Sequence, residues 1–172
     1  MPSLLLLRPS HCLATLSLVL TGVLPAVPAF AGSGIFDEMR FGATASINNG
    51  DNREHGVFPS VTVFFDPLDA DSAKDLGEKL LRPRIHAGAA IATSSDGANE
   101  VYGGLSWTFD VTKRFFIVLG AGGTVHDGEL HADGTSGPKR GCRLLFREYA
   151  AAGFRFDEHW NLSATVEHAS HA

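Results

Sequence analysis

The chain has 172 residues, 44% of them apolar, 19% charged and 9% aromatic, with a formal net charge of −5. One domain fits that length, and the apolar share is too high for a disordered tail. The acidic balance removes the electrostatic ground for nucleic-acid binding, while 19 Gly and 12 Phe against two each of Met, Trp and Tyr lean towards strands and tight turns.

The first 31 residues read as a leader rather than as part of the fold. Arg8 and His11 precede an apolar stretch from Leu13 to Val27, and Ala29-Phe30-Ala31 follows with small residues two apart. This is the pattern of a secretory signal peptide cut after Ala31, and Pro25 and Pro28 argue against a membrane-spanning helix. Residues 32–172 then form the domain. Cys142 is its one cysteine, so no internal disulfide is expected.

Beyond the leader the chain alternates. Met39, Phe41, Ala43, Ala45 and Ile47 interleave with polar or small residues, and so do Val101, Gly103, Leu105, Trp107, Phe109 and Val111. The rows Val57 to Phe65, Ile85 to Thr93, Phe115 to Val125, Leu144 to Phe156 and Trp160 to Ser170 repeat the scheme. Period two over about ten residues predicts strands long enough to cross a bilayer at a tilt. Seven are counted.

One face of each row is apolar and the other carries Gly, Ser, Thr, Arg and Asp. Aromatics gather at one common end: Phe64, Phe65, Trp107, Phe109, Phe115, Phe116, Phe154, Phe156 and Trp160. A membrane interface collects rings in this way. The fold expected is therefore all-β, an antiparallel up-and-down outer-membrane β-barrel with its apolar face turned to lipid; a soluble lipocalin-like calyx is the alternative. Short turns at 111–114 and 157–159 and a long Gly-rich loop from His126 to Gly141 suit the periplasmic and external ends. The connector Asp69 to Leu81 is a misfit on the short-turn side, with a helical turn or two expected within it.

Bacterial single-chain barrels use even strand counts, because an open edge in lipid leaves backbone groups without partners. Seven rows ending near Ala172 imply that the final strand is missing; the alternatives are an uncounted strand or closure through a homodimer.

Several chemical motifs fail. Gly120-Ala121-Gly122-Gly123 lies inside a strand with no helix after it, so it is no phosphate loop. Gly134-Thr135-Ser136-Gly137 lacks the spacing of a nucleophile elbow. The histidines are scattered, and no metal or other cofactor is expected.

The end of the chain differs. In Val166-Glu167-His168-Ala169-Ser170-His171 the i, i+2 spacing puts His168 and Ser170 on one strand face, about 6–7 Å apart at Cα. An imidazole that takes the Ser proton makes the oxygen nucleophilic. Trp160, Leu162, Ala164 and Val166 share the same phase, so the pair faces lipid and suits a lipid substrate. An interfacial His and Ser touching headgroups is the plainer alternative. Glu167 has the opposite phase and points into the lumen.

Leu145-Phe146-Arg147-Glu148-Tyr149-Ala150, Gly153-Phe154-Arg155-Phe156-Asp157-Glu158-His159 and Glu167-His168-Ala169-Ser170 resemble the lipid A deacylases of the PagL family, and the stretches 35–42 and 56–59 are similar to members as well. The resemblance implies an eight-stranded outer-membrane barrel with a Ser-His-Glu triad on its outer surface. It implies hydrolysis of an ester-linked acyl chain of lipid A in lipopolysaccharide without a cofactor. By the same resemblance His168 is the general base and Ser170 the nucleophile. His171 stands where members carry an Asn that supports the oxyanion. The family's Glu would fall about a dozen residues after Ser170, past Ala172, which implies a truncated, inactive member. A non-catalytic small barrel for structure or adhesion is the alternative function.

Overall fold

A computed structural model of the chain describes residues 35–47, 54–130 and 140–170, together with the backbone of 15–22. It is an up-and-down antiparallel barrel. In chain order the strands are β1 (Thr15–Gly22), β2 (Phe36–Ser46), β3 (Phe58–Phe65), β4 (Arg84–Ala90), β5 (Glu100–Asp110), β6 (Phe115–His126), β7 (Leu144–Arg155) and β8 (Asn161–Ser170). Each strand pairs with the next, and β1 pairs with both β2 and β8, so the sheet closes.

The seven strands β2–β8 lie where the alternation predicted them, with no end shifted by more than three residues. The eighth position, expected to be empty, holds Thr15–Gly22, a segment of the stretch read as leader. That segment alternates too: Leu16, Leu18 and Leu20 register against His168, Val166 and Ala164 of β8. A closed ladder satisfies backbone groups that an open edge would leave bare.

The faces sort by polarity. Leu105, Ile117, Leu119, Val125, Leu144, Phe146, Leu162 and Val166 are exposed on the outside. Arg40, Thr44, His86, Ser106, Thr124, Arg147, Ser163 and Thr165 are buried inside. This is the polarity of a barrel with an apolar outer wall and a polar, filled lumen. Inside, Phe64 lies between the guanidinium groups of Arg40 and Arg84, whose central carbons stand 4.4 and 4.9 Å from the ring centroid. Arg40 also grips Glu38 with two hydrogen bonds of 2.7 and 2.8 Å. Not every aromatic near the short-turn end faces outward: Phe64 and Phe116 are buried in the lumen. They belong to the polar-face rows, where a narrow interior needs bulk beside its glycines.

Glycines make that narrowness achievable. Gly104 and Gly122 face each other across β5 and β6, and a Cβ on Gly122 would lie 2.1 Å from the Gly103 carbonyl oxygen. A Cβ on Gly120 would lie 2.0 Å from the Tyr149 ring.

The short turns are held by side chains. Thr112 Oγ1 accepts from the Phe115 amide at 2.9 Å, and Asp157 Oδ1 accepts from the His159 and Trp160 amides at 2.7 and 2.9 Å. The connector between β3 and β4 carries a one-turn 3₁₀ helix, Ala70–Ser72, and a short α-helix, α1 (Leu76–Leu81), capped by Asp75 Oδ1 on the Glu78 amide at 2.9 Å. Trp107, on the outer wall, donates its indole N–H to the Leu80 carbonyl at 3.0 Å, which fastens α1 to the barrel. The helical turn expected in this connector is thus present.

Candidate active site on the outer wall

The candidate site is the long-loop end of the β7–β8 hairpin. Ladder pairs run without a break from Arg155↔Asn161 to Phe146↔Ser170. With no bulge, the phase set by Leu162, Ala164 and Val166, all exposed, carries through to His168 and Ser170. Both residues therefore stand on the outer face, half-buried, at the end of the barrel that carries the long loops. His171 lies outside the described residues.

The inward residues of the same hairpin lock this register. Arg147 donates to Glu167, and its guanidinium carbon lies 4.1 Å from the Tyr102 ring centroid and 5.2 Å from that of Tyr149. Glu167 is thus a lumen residue tied to Arg147, as its phase predicted. It has no path through the sheet to His168.

Loops brace the same end. Arg140 donates to Glu54 at 2.6 Å and also to Glu100, joining three separate segments in a buried cluster. Burial works to lower the Arg140 pKa, but the Glu100 and Glu54 carboxylates outweigh it and leave it raised. Asn99 donates its side-chain and backbone N–H to Asp127 at 2.6 and 2.8 Å, and His55 pairs with Asp96 at 2.7 Å. Among the described residues, no three His, Cys, Asp or Glu side chains stand together as a metal ion would require.

The register also shows a residue that the sequence reading passed over. Glu148 sits directly opposite His168, and it is exposed on the outer face of β7 between Phe146 and Ala150. Within the ladders of β2–β8, from Met39 onward, the outward positions are apolar apart from three residues: Glu148, His168 and Ser170. The signal was available in the sequence, because Glu148 interrupts an otherwise apolar alternate set and the short 156–160 turn sets its partner.

Chemically, the wall offers a hydroxyl, an imidazole and a carboxylate at the edge of an apolar outer surface. Such a group can perform nucleophilic acyl chemistry on a substrate lying against the barrel.

The family model for lipid A 3-O-deacylase (PagL) matches residues 90–172. That span covers the motifs at 145–170 on which the resemblance rested, whereas the similarity at 35–59 lies outside it. Neither the curated proteins nor the solved structures gave a match.

Proposed function

We propose that this PagL-type chain is a lipid A deacylase that works from its outer wall. The observation that carries the reading is the placement of His168 and Ser170 two residues apart on the apolar face, at the long-loop end. Acyl chains of a lipid substrate lie against that face. A polar pair placed there is costly unless it has a task.

His168 takes the Ser170 hydroxyl proton as the oxygen attacks the ester carbonyl carbon. The bond to the sugar oxygen breaks, and that oxygen leaves with the proton held by His168. Water, deprotonated by the same imidazole, then resolves the acyl-enzyme and frees the fatty acid and Ser170. His171 supports the oxyanion by donating a hydrogen bond, a contribution worth roughly 10²–10³ in rate for a well-placed donor. No cofactor enters these steps. Export by removal of residues 1–31 and residence in the outer membrane belong to the same reading.

The test is mass spectrometry of lipid A from cells making this chain or its Ser170→Ala variant, with folded barrel verified by its gel mobility before and after heating. Loss of one hydroxyacyl chain in the first and an unaltered spectrum in the second are expected. An unaltered spectrum in both, with folded protein present, would favour a non-catalytic barrel and overturn the reading.

A further inference from the structure

We propose that the connector between β3 and β4 is a membrane-interface anchor, its leucine face lying at the headgroup–acyl boundary of the phospholipid leaflet at the short-turn end of the barrel. The inference goes beyond the deacylase reading and rests on one part of it, residence of the barrel in the outer membrane.

The helix α1 is amphipathic, but with its faces reversed. At 3.6 residues per turn, Leu76, Leu80, Gly77 and Leu81 fill a continuous arc of about 140°, and Glu78 and Lys79 take the opposite side. On a protein surface in water the charged side would be the exposed one. Here Leu76, Leu80 and Leu81 are 64%, 52% and 80% exposed, while Glu78 and Lys79 are half-buried. The charges turn back onto the connector itself. Glu78 lies 3.7 Å from Arg82 and accepts from the Lys74 amide at 3.1 Å, Lys79 lies 3.7 Å from Asp71, and Arg82 donates to Ser72 Oγ at 2.5 Å.

Trp107 fastens this helix to the side of the wall and not beneath its rim, because β5 runs three residues, about 10 Å, past Trp107 to Asp110. The indole reaches Leu80 from the aromatic end of the wall, where Phe36 and Phe115 are exposed. Tryptophan, with an apolar ring and a bonded N–H, suits the boundary between hydrocarbon and headgroups. Just after the connector, Ile85 stands opposite Leu105 in the outward rows of β4 and β5, and both are exposed. The leucine face therefore continues the apolar wall, and the lipid that covers one covers the other.

Charge narrows the lipid chemistry. Residues 66–83 hold five acidic and three basic side chains, a net −2, so nothing draws the segment to an anionic surface. Burial of the leucines is the driving force, to a depth of about 5–10 Å for a helix lying in the interface. A zwitterionic phospholipid suffices.

The test uses the full chain with Cys12 and Cys142 replaced by Ser, refolded into phosphatidylcholine vesicles. An environment-sensitive nitrobenzoxadiazole dye is attached to a single introduced cysteine. Leu76→Cys and Leu81→Cys probe the helix, Lys74→Cys is the aqueous reference and Leu105→Cys the wall reference. At 76 and 81 the emission is expected to shift to the blue, to be quenched more by bromines near the headgroups than by bromines near the bilayer centre, and to resist iodide. At 74 iodide should quench, and added salt should alter none of these signals. Iodide quenching at 76 and 81, with the lipid signature intact at 105, would overturn the anchor alone. Shielding at 76 and 81 from iodide and brominated lipid alike would mean that a second protein chain covers the leucines, and would overturn it equally. Iodide quenching at 105 as well would bring down the membrane reading of the barrel, and the anchor with it.

Discussion

Arg147 and Glu167 are bound to each other inside the barrel, one residue out of phase with Glu148 and His168 outside it. The two pairs sit back to back on one hairpin. The inner pair is shielded, with 10% and 17% of the side chains exposed, and it braces from within the hairpin whose outer face carries His168 and Ser170.

Arg147→Ala should therefore be costly. It leaves the Glu167 carboxylate in the lumen without its partner and removes the guanidinium from the Tyr102 and Tyr149 rings. Breaking a buried pair in this way costs about 3–5 kcal/mol. A large fall in the urea midpoint of the folded-barrel gel band is the expected result.

Packing across β5 and β6 gives a second test. Gly122→Ala would place a methyl 2.1 Å from the Gly103 carbonyl oxygen and 2.7 Å from the Gly104 Cα, and backbone cannot step aside cheaply. Destabilisation of about 1–3 kcal/mol is expected for such overpacking. Gly123 is the control. It faces outward, and its nearest atom would be 3.5 Å from a new Cβ, so Gly123→Ala should be close to neutral in the same urea titration.

Much of this was legible in the sequence, for a physical reason. A strand's period of two writes its two faces directly into the residue order, so β2 through β8 and the outward phase of His168 and Ser170 could be read without coordinates. Pairing between strands is not written that way. Glu148 gained meaning only from its ladder position opposite His168. Phe64 and Phe116 looked like rim aromatics because proximity to a strand end says nothing about phase until the register is known. Thr15–Gly22 is ambiguous for another reason: an apolar leader and a lipid-facing strand both use alternating Leu, and the Ala29-Phe30-Ala31 pattern decided for the leader.

That ambiguity has a direct test. Removal of residues 1–31 and closure of the barrel by Thr15–Gly22 exclude each other in one molecule. The intact mass of the protein in the outer-membrane fraction is expected to correspond to a chain starting at Gly32. A mass that retains residues 15–22 would instead establish this segment as the mature barrel's first strand.

The loop clamp between Asn99 and Asp127 should respond to acid. Hydrogen bonds from Asn99, its side-chain N–H foremost, hold the Asp127 carboxyl below its ordinary value of 3.8. A carboxylate depressed in the folded state stabilises it above the unfolded value, and the contribution disappears as pH falls through the lower folded value. Protection of the Asn99 amide should thus be constant above about pH 5 and fall below 3.8. In Asp127→Ala the amide should be unprotected throughout.

The claim on which the site depends is that alternate residues at the end of β8 meet hydrocarbon. Nitroxide labels placed singly at 163, 164, 165 and 166, in a chain whose own cysteines have been replaced, measure this through collisions with oxygen and with a water-soluble nickel complex. The account predicts that labels at 164 and 166 collide with oxygen and not with nickel, while 163 and 165 are shielded from both. Nickel access or burial at 164 and 166, with oxygen access at 163 and 165, would contradict it.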